Sequence, residues 1–330
     1  MRLGFAVKPL ARPELRSHDS RRWQNGPHLC VSLAYLRDVF AYLAEAGIAM
    51  YRMASDLAPY ATHPDLPQFW GQLDECRAEL EEVGRLGQRM ALRLSFHPSP
   101  HVVLNSPEPG LATRSMADIS FHSFLLDAMG MGADACVVTH LGGIHGDREG
   151  ALDRFVEHVS DLRPSVRRRV VIENDDVRFG VADALWVHER TGLPVVFDNL
   201  HHRVHNPAGW PMREALEACL ATWPAGVRPK VHYSSPRTDW LVAQARACDT
   251  PEVHRTRWGY HSDYINPFEF IDFLRAAEGL PEFDVMLEAR AKDLALGQLR
   301  VDLHRFAPDL AQRLEPTQAG KYTVYDRGGS

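Results

Sequence analysis

Glu173, Asp198, His201, His232, His261 and Glu288 each stand at or just past the end of a short apolar run. The runs read VVIEN (Val170–Asn174), PVVFDNLHH (Pro194–His202), PKVHYSS (Pro229–Ser235) and FDVMLEAR (Phe283–Arg290). ALRLSFHP (Ala91–Pro98) and ACVVTHLGG (Ala135–Gly143) repeat the pattern with His97 and His140. Imidazoles and carboxylates delivered one per strand, always at the C-terminal end, are what a metal site on the top face of a parallel barrel requires. A lone histidine at a strand end is usually structural. Six histidines and three carboxylates at one mouth would instead suffer severe desolvation and repulsion without cations. The candidate ligands are His63, His97, His140, Glu173, Asp198, His201, His232, His261 and Glu288. They exceed the four donors of one zinc, so two or three divalent ions are expected. Nitrogen and oxygen donors without thiolate suit Mn²⁺ or Zn²⁺ and disfavour an iron–sulfur centre.

Such a cluster lowers the pKa of a bound water to give hydroxide near neutral pH, and it clamps both oxygens of an in-line phosphoryl displacement. Glu173, Glu288 and His232 are the candidate catalytic residues among the ligands. Lys230, two residues before His232, shares its side of the strand because strand side chains alternate. It is placed to contact a phosphate, to be chemically modified, or equally to pair with a nearby interior acid.

Strands and helices must alternate to deliver these groups. The expected strands are Leu3–Val7, Ala49–Met53, Ala91–Phe96, Cys136–Thr139, Val170–Ile172, Val195–Phe197, Lys230–His232 and Val285–Leu287. Apolar residues at helical spacing follow them in Leu33–Ala46, Leu73–Leu86, Ser120–Met131, Arg148–Leu162, Ala182–Glu189, Met212–Ala221, Pro267–Ala277 and Ala291–Leu303. Eight such pairs close a (β/α)₈ TIM barrel. Asp147 is a candidate N-cap, and Gly or Pro precedes several strands. The longest loops are expected at Ala54–Gln68, Phe96–Ala117 and Tyr233–Asn266. One domain over residues 1–306 is expected, with 307–330 as a C-terminal extension that loses periodicity.

At 330 residues and 45% hydrophobic content, the chain can bury the core of a barrel, which takes about 250 residues. No apolar run approaches the roughly 18 residues of a membrane span. The start, MRLGFAVKP, does not read as a secretory signal. The five cysteines are scattered and form no CxxC pair, which reads as a reduced, cytoplasmic protein. A net charge of −6 neither advertises nor excludes nucleic acid as a partner, since phosphate contact depends on local basic patches. No membrane or obligate protein partner is evident.

Ordered motifs carry a resemblance across almost the whole chain, from RLGF (Arg2–Phe5) to LEARAKDLAL (Leu287–Leu296). They are YRMASDLAPYATHP (Tyr51–Pro64), SFHP with VLNSP (Ser95–Pro98, Leu104–Pro107), THLGGIHGD (Thr139–Asp147), IENDD (Ile172–Asp176), VVFDNLHH (Val195–His202), KVHYSSPR (Lys230–Arg237) and HSDYI (His261–Ile265). With these the chain resembles the UV damage endonuclease family (UvdE/UvsE type). The resemblance implies a TIM barrel similar to endonuclease IV and up to three ions, often manganese. It also implies damaged double-stranded DNA as substrate, nicked immediately 5′ to ultraviolet photoproducts and other lesions. The nine candidate ligands fall on the family's metal-binding positions, and Lys230 falls on the lysine that can be carboxylated in this family.

The family usually reads HPGQY where this chain has HPSPH (His97–His101). Pro100 and His101 therefore replace the Gln–Tyr pair that inserts into the duplex at the lesion. Proline offers no amide to mimic a base edge, and imidazole is a smaller stacking surface than phenol. The segment after Lys8, KPLARPELRSHDSRRW, is also strongly altered. Lys8, Arg52 and Arg237 are candidate phosphate contacts; Asn105, Tyr233 and Tyr264, inside the motifs, complete the substrate-facing set. Two enzymatic readings follow. One is a metal-dependent endonuclease of damaged DNA that leaves a 3′-hydroxyl and a 5′-phosphate. The other is a barrel metalloenzyme repurposed as an isomerase, lyase or hydrolase for a small phosphorylated or sugar-like molecule. A non-catalytic DNA- or metal-binding protein is the third reading, and the full ligand set argues against it.

Overall fold

The computed structural model of the protein describes residues 1–238 and 258–314. Eight parallel strands close a barrel in sequence order: β1 (Leu3–Ala6), β2 (Met50–Arg52), β3 (Arg93–Phe96), β4 (Cys136–His140), β5 (Val170–Glu173), β6 (Val195–Asp198), β7 (Lys230–Tyr233) and β8 (Asp284–Leu287). β8 pairs with β1 through Leu3 opposite Val285 and Gly4 opposite Met286, which removes every open edge. The strand segments are rich in Val, Ile and Phe, residues that favour extended backbone buried on both faces. The expected strand positions hold throughout, and β4, β5 and β6 run one residue further, so that His140, Glu173 and Asp198 end them.

The helical layer comprises α1 (Leu29–Glu45), α2 (Gln72–Glu75), α3 (Arg77–Arg89), α4 (Pro109–Ala128), α5 (Arg148–Asp161), α6 (Pro164–Arg167), α7 (Val181–Thr191), α8 (Asn199–Val204), α9 (Met212–Ala221), α10 (Pro267–Ala276), α11 (Lys292–Phe306) and α12 (Pro308–Ala311). The helix expected over Leu73–Leu86 is two helices broken at Cys76. The loop expected over Phe96–Ala117 ends earlier, because α4 starts at Pro109. Proline is suited to a first helical turn, whose amide lacks an intrahelical partner in any case. Leu310 and Ala311 of α12 are buried in the core, so residues 307–314 pack against the barrel. Residues 315–330 lie outside the described residues.

Alternation divides each strand between two cores. Phe5, Leu94, Phe96, Val137, Ile172 and Val231 face outward into the large cluster shared with the helices. Cys136, Val138, Val171 and Val196 face inward, where they form a smaller cluster with Trp223. The interior floor is polar. Arg93 Nη1 lies 2.9 Å from Asp284 Oδ2, both groups fully buried, and the Arg93 guanidinium sits 5.6 Å from the Trp223 ring centroid. Arg2 and Arg228 also reach Asp284, at 3.5 and 3.4 Å. Among the described residues no helix is long and apolar enough to cross a membrane.

Candidate metal centre

The inward parity that places Val171 in the barrel interior places Glu173 at its mouth, and the same step carries β4, β6, β7 and β8 to His140, Asp198, His232 and Glu288. Glu173 is the hub. His97 Nε2 and His140 Nε2 stand 3.0 and 3.8 Å from its Oε2. His232 Nδ1 and His201 Nδ1 stand 2.8 and 3.5 Å from its Oε1. His232 Nδ1 is also 3.3 Å from Glu288 Oε1, and His261 Nδ1 is 3.8 Å from Glu288 Oε2. Two groups have donor atoms all within 4.8 Å of one another: His97, His140 and Glu173, and Glu173, Asp198, His232 and Glu288. Donors bound to one ion at about 2.1 Å lie up to about 4.2 Å apart, so each group needs only side-chain adjustment to close on a cation.

Backbone carbonyls hold two further rings at the mouth. His201 donates Nδ1–H to the Asn174 carbonyl at 2.9 Å, and His261 donates Nδ1–H to the Glu288 carbonyl at 2.8 Å. Such bonds orient the rings and, in the neutral form that binds a metal, leave Nε2 as the lone-pair nitrogen. Three buried atoms of the set, His140 Nδ1, Asp198 Oδ2 and His232 Nε2, have no hydrogen-bond partner among the described residues. A buried polar atom left unpaired is costly, and a bound cation is one partner that would offset that cost. The donor set therefore fits hard or borderline divalent ions.

The electrostatics agree. Burial opposes ionisation of Glu173, yet His232 and His140 hold its carboxyl well below the usual range. Burial likewise opposes Glu288, and Arg52 with His232 holds it low; Arg52 makes a short ion pair with that carboxylate. Burial pushes the Asp198 carboxyl up, and pushes the His140 imidazole down toward its neutral form. His201 is raised to about 9: burial works against the charge, but Asp198, Glu173 and Glu288 outweigh it. Carboxylates forced this close are favoured only while positive charge stands between them.

Lys230 lies beneath the centre, fully buried, and burial pushes its ammonium down toward the neutral amine. Its Nζ has no hydrogen-bond partner among the described residues; Cys136 is the neighbour that most offsets the burial, while Arg93 and Arg52 add to it. Lys230→Met is expected to stabilise the cation-free protein by about 1–3 kcal/mol, since a desolvated amine gives way to an apolar chain of similar length. Urea unfolding of metal-stripped protein checks this, and a lowered midpoint would contradict it.

The mouth opens into a cleft of about 790 Å³ whose walls include Arg52, Pro100, His145, Asp176 and Arg178. A second cleft of about 540 Å³ adjoins it across Ser55, Ser99 and Val102. His63 is exposed and lines this second cleft with His101; its contacts are Asp65 and the Tyr60 ring, and the structure does not bring it to the cluster. Of the candidate substrate contacts, Lys8 is exposed at the end of β1, and Arg237 shares a small cleft with His201 and His261. Tyr264 lies by Phe268 in a separate shallow pocket.

Two candidates sit elsewhere. Alternation turns Tyr233 away from His232, and its ring packs on Phe270 and Phe273 at 4.8 and 5.1 Å. Asn105 is buried and holds the β4 loop, donating to the Gly143 carbonyl at 2.7 Å and accepting from the Gly143 amide at 3.1 Å. Gly142 is required beside it: at φ +93° a Cβ would stand 2.3 Å from Asn105 Oδ1. Sequence reading missed two positioning residues that lie inside quoted motifs. Asn174 pins Asp198 through both its amide and its carbonyl. Asp293 accepts from the amides of Leu10 and Ala11 and from the Tyr42 hydroxyl, which ties the altered N-terminal loop to the barrel.

The family model for UV-endonuclease UvdE matches residues 30–312. The UV DNA damage endonuclease of Bacillus velezensis is 32% identical over 265 residues, covering 79% of this chain and 77% of that protein. The UV DNA damage endonuclease of Bacillus mycoides is 34% identical over 260 residues, covering 78% and 75%. The crystal structure of SacUVDE superposes with a TM-score of 0.74 at 28% identity, covering 92% of this chain and 98% of that one. A D-psicose 3-epimerase from Clostridium cellulolyticum superposes with a TM-score of 0.53 at 10% identity, covering 95% and 99%, a likeness of fold alone.

Proposed function

The chain belongs to the UV-endonuclease UvdE family, and on that premise we propose that it is a metal-dependent endonuclease that nicks duplex DNA 5′ to ultraviolet photoproducts or other lesions. The observation that carries the proposal is Glu173 shared between two donor groups at the mouth of an open cleft. His97, His140 and Glu173 would hold one divalent cation, and Glu173, Asp198, His232 and Glu288 a second, manganese or zinc by donor chemistry. Cations held there lower the pKa of a water and offset charge on the phosphodiester.

The protein's own groups do the rest. Arg52, fixed by Glu288 and lining the cleft, presents its remaining N–H groups to a phosphate oxygen. Asn174 and the backbone bonds to His201 and His261 keep the donors in one arrangement, so that little is reorganised during reaction. Lys230 acts from beneath the centre; carboxylation there would exchange a desolvated amine for an anionic oxygen. Pro100 and His101 stand on the walls of the two adjoining clefts, where an extruded nucleotide would be received.

A labelled duplex carrying one photoproduct, incubated with Mn²⁺, tests the reading. Incision beside the lesion, absent from undamaged duplex and abolished by chelation, is expected. Equal inertness on photoproduct and abasic substrates would overturn it in favour of the small phosphorylated or sugar-like substrate.

A further inference from the structure

Outside the mouth, one imidazole and two thiols meet where the first turn of α1 faces the junction of α2 and α3. His28 caps α1 and Cys30 lies in its first turn; Cys76, 46 residues further on, is the break between α2 and α3. His28 Nδ1 stands 3.1 Å from Cys30 Sγ and 3.8 Å from Cys76 Sγ, and the three donor atoms all lie within 4.8 Å of one another. A tetrahedral zinc holds nitrogen and sulfur ligands about 3.6 Å apart, given bonds of about 2.1 and 2.3 Å, so the two distances bracket the separation required.

The protonation pattern points the same way. His28 Nε2–H donates to Glu75 Oε2 at 2.9 Å, and Nδ1 accepts from the Cys30 amide at 3.3 Å. The lone pair is therefore on Nδ1, which faces both sulfurs, and an ion bound there takes the place of the weak cap bond from the Cys30 amide. A carboxylate behind an imidazole in this way orients it and raises its basicity toward a metal. Cys76 is buried, His28 is half-buried and Cys30 is exposed, which leaves one side open for an ion to enter.

We propose that His28, Cys30 and Cys76 form a zinc site, with the fourth position left to water, that clamps the start of α1 to the α2–α3 junction. The position gives the clamp a consequence. Gln72, one turn before Cys76, accepts from the Leu29 amide at 2.7 Å and donates to the carbonyls of Pro59 and Phe69. Pro59 and its neighbour Tyr60 line the second cleft, so the ion braces a wall of the substrate surface. Thiolates select zinc over manganese, whereas the donor groups at the mouth hold no thiolate and would accept manganese, so the chain would sort two metals by donor softness.

Cobalt reports on this site without reference to catalysis, because only thiolate ligation gives a charge-transfer band in the near ultraviolet. Full-length protein, stripped of metal and kept reduced, is titrated with Co²⁺. One equivalent of thiolate–cobalt band is expected in the unaltered protein and in Glu173→Gln, bleached by Zn²⁺ and not by Mn²⁺. Cys30→Ser and Cys76→Ser are expected to lose the band, and Glu75→Gln to weaken zinc binding about 10–100-fold. Circular dichroism on each variant checks that the fold persists; Cys30, being exposed, provides the variant least disturbing to packing. Absence of the band in reduced unaltered protein, or its survival in both cysteine variants, would overturn the proposal.

Discussion

Glu173→Gln is expected to lower incision of lesion-bearing duplex by about 10³-fold or more, with the fold intact. Glu173 alone belongs to both donor groups, so one neutral amide weakens both cation positions at once. Its two oxygens face different imidazoles, His97 and His140 on one side and His232 and His201 on the other. An amide keeps the shape and removes the charge, and on one side its NH₂ must point at a ligand. A catalytic cation supplies several kcal/mol of transition-state stabilisation, and each 1.4 kcal/mol is tenfold in rate. Glu288→Gln is expected to act in the same direction, since Glu288 belongs to one group and fixes Arg52. Single-turnover incision alongside a thermal melt separates chemistry from folding. Activity of both variants within about tenfold of the parent would remove the proposed site.

The largest effect on stability is expected at the opposite end of the barrel. Asp284 is fully buried and receives Arg93 at 2.9 Å, Arg2 at 3.5 Å, Arg228 at 3.4 Å and the Arg2 amide at 2.8 Å. Asp284→Asn leaves the buried Arg93 guanidinium without its counter-charge, a change that typically costs about 3–5 kcal/mol. Removing both members is gentler: Arg93→Met with Asp284→Leu is expected to recover much of the loss, because the uncompensated charge goes with its partner. Urea midpoints of the single and double variants measure this. A loss below about 1 kcal/mol in Asp284→Asn would show that the ion pair contributes far less than its burial implies.

The barrel and most of its mouth are legible from period alone. Short apolar runs separated by helical spacing place the strands within a residue or two, and a polar residue ending each run faces the site because inward parity is already set by Val138, Val171 and Val196. The same parity rule makes Tyr233 an outward residue once His232 is inward, a consequence available from the sequence. His63 lies in a loop without periodicity, so spacing carries no information about which cleft it faces. Pro109 and Gly110 read as loop because their propensities are poor in a helix interior, while at a first turn they are tolerated. The meeting of Cys30 with Cys76 depends on how α1 packs against the α2–α3 junction, a tertiary contact that no local spacing encodes. Asn174 and Asp293 stand beside the ligand motifs, and only the hydrogen bonds they make reveal them as positioning residues.

Anomalous diffraction from crystals grown with manganese, recorded on both sides of its absorption edge, tests the shared-carboxylate centre most directly. One peak is predicted among His97, His140 and Glu173 and another among Glu173, Asp198, His232 and Glu288. A barrel mouth without anomalous signal at saturating manganese would contradict the account.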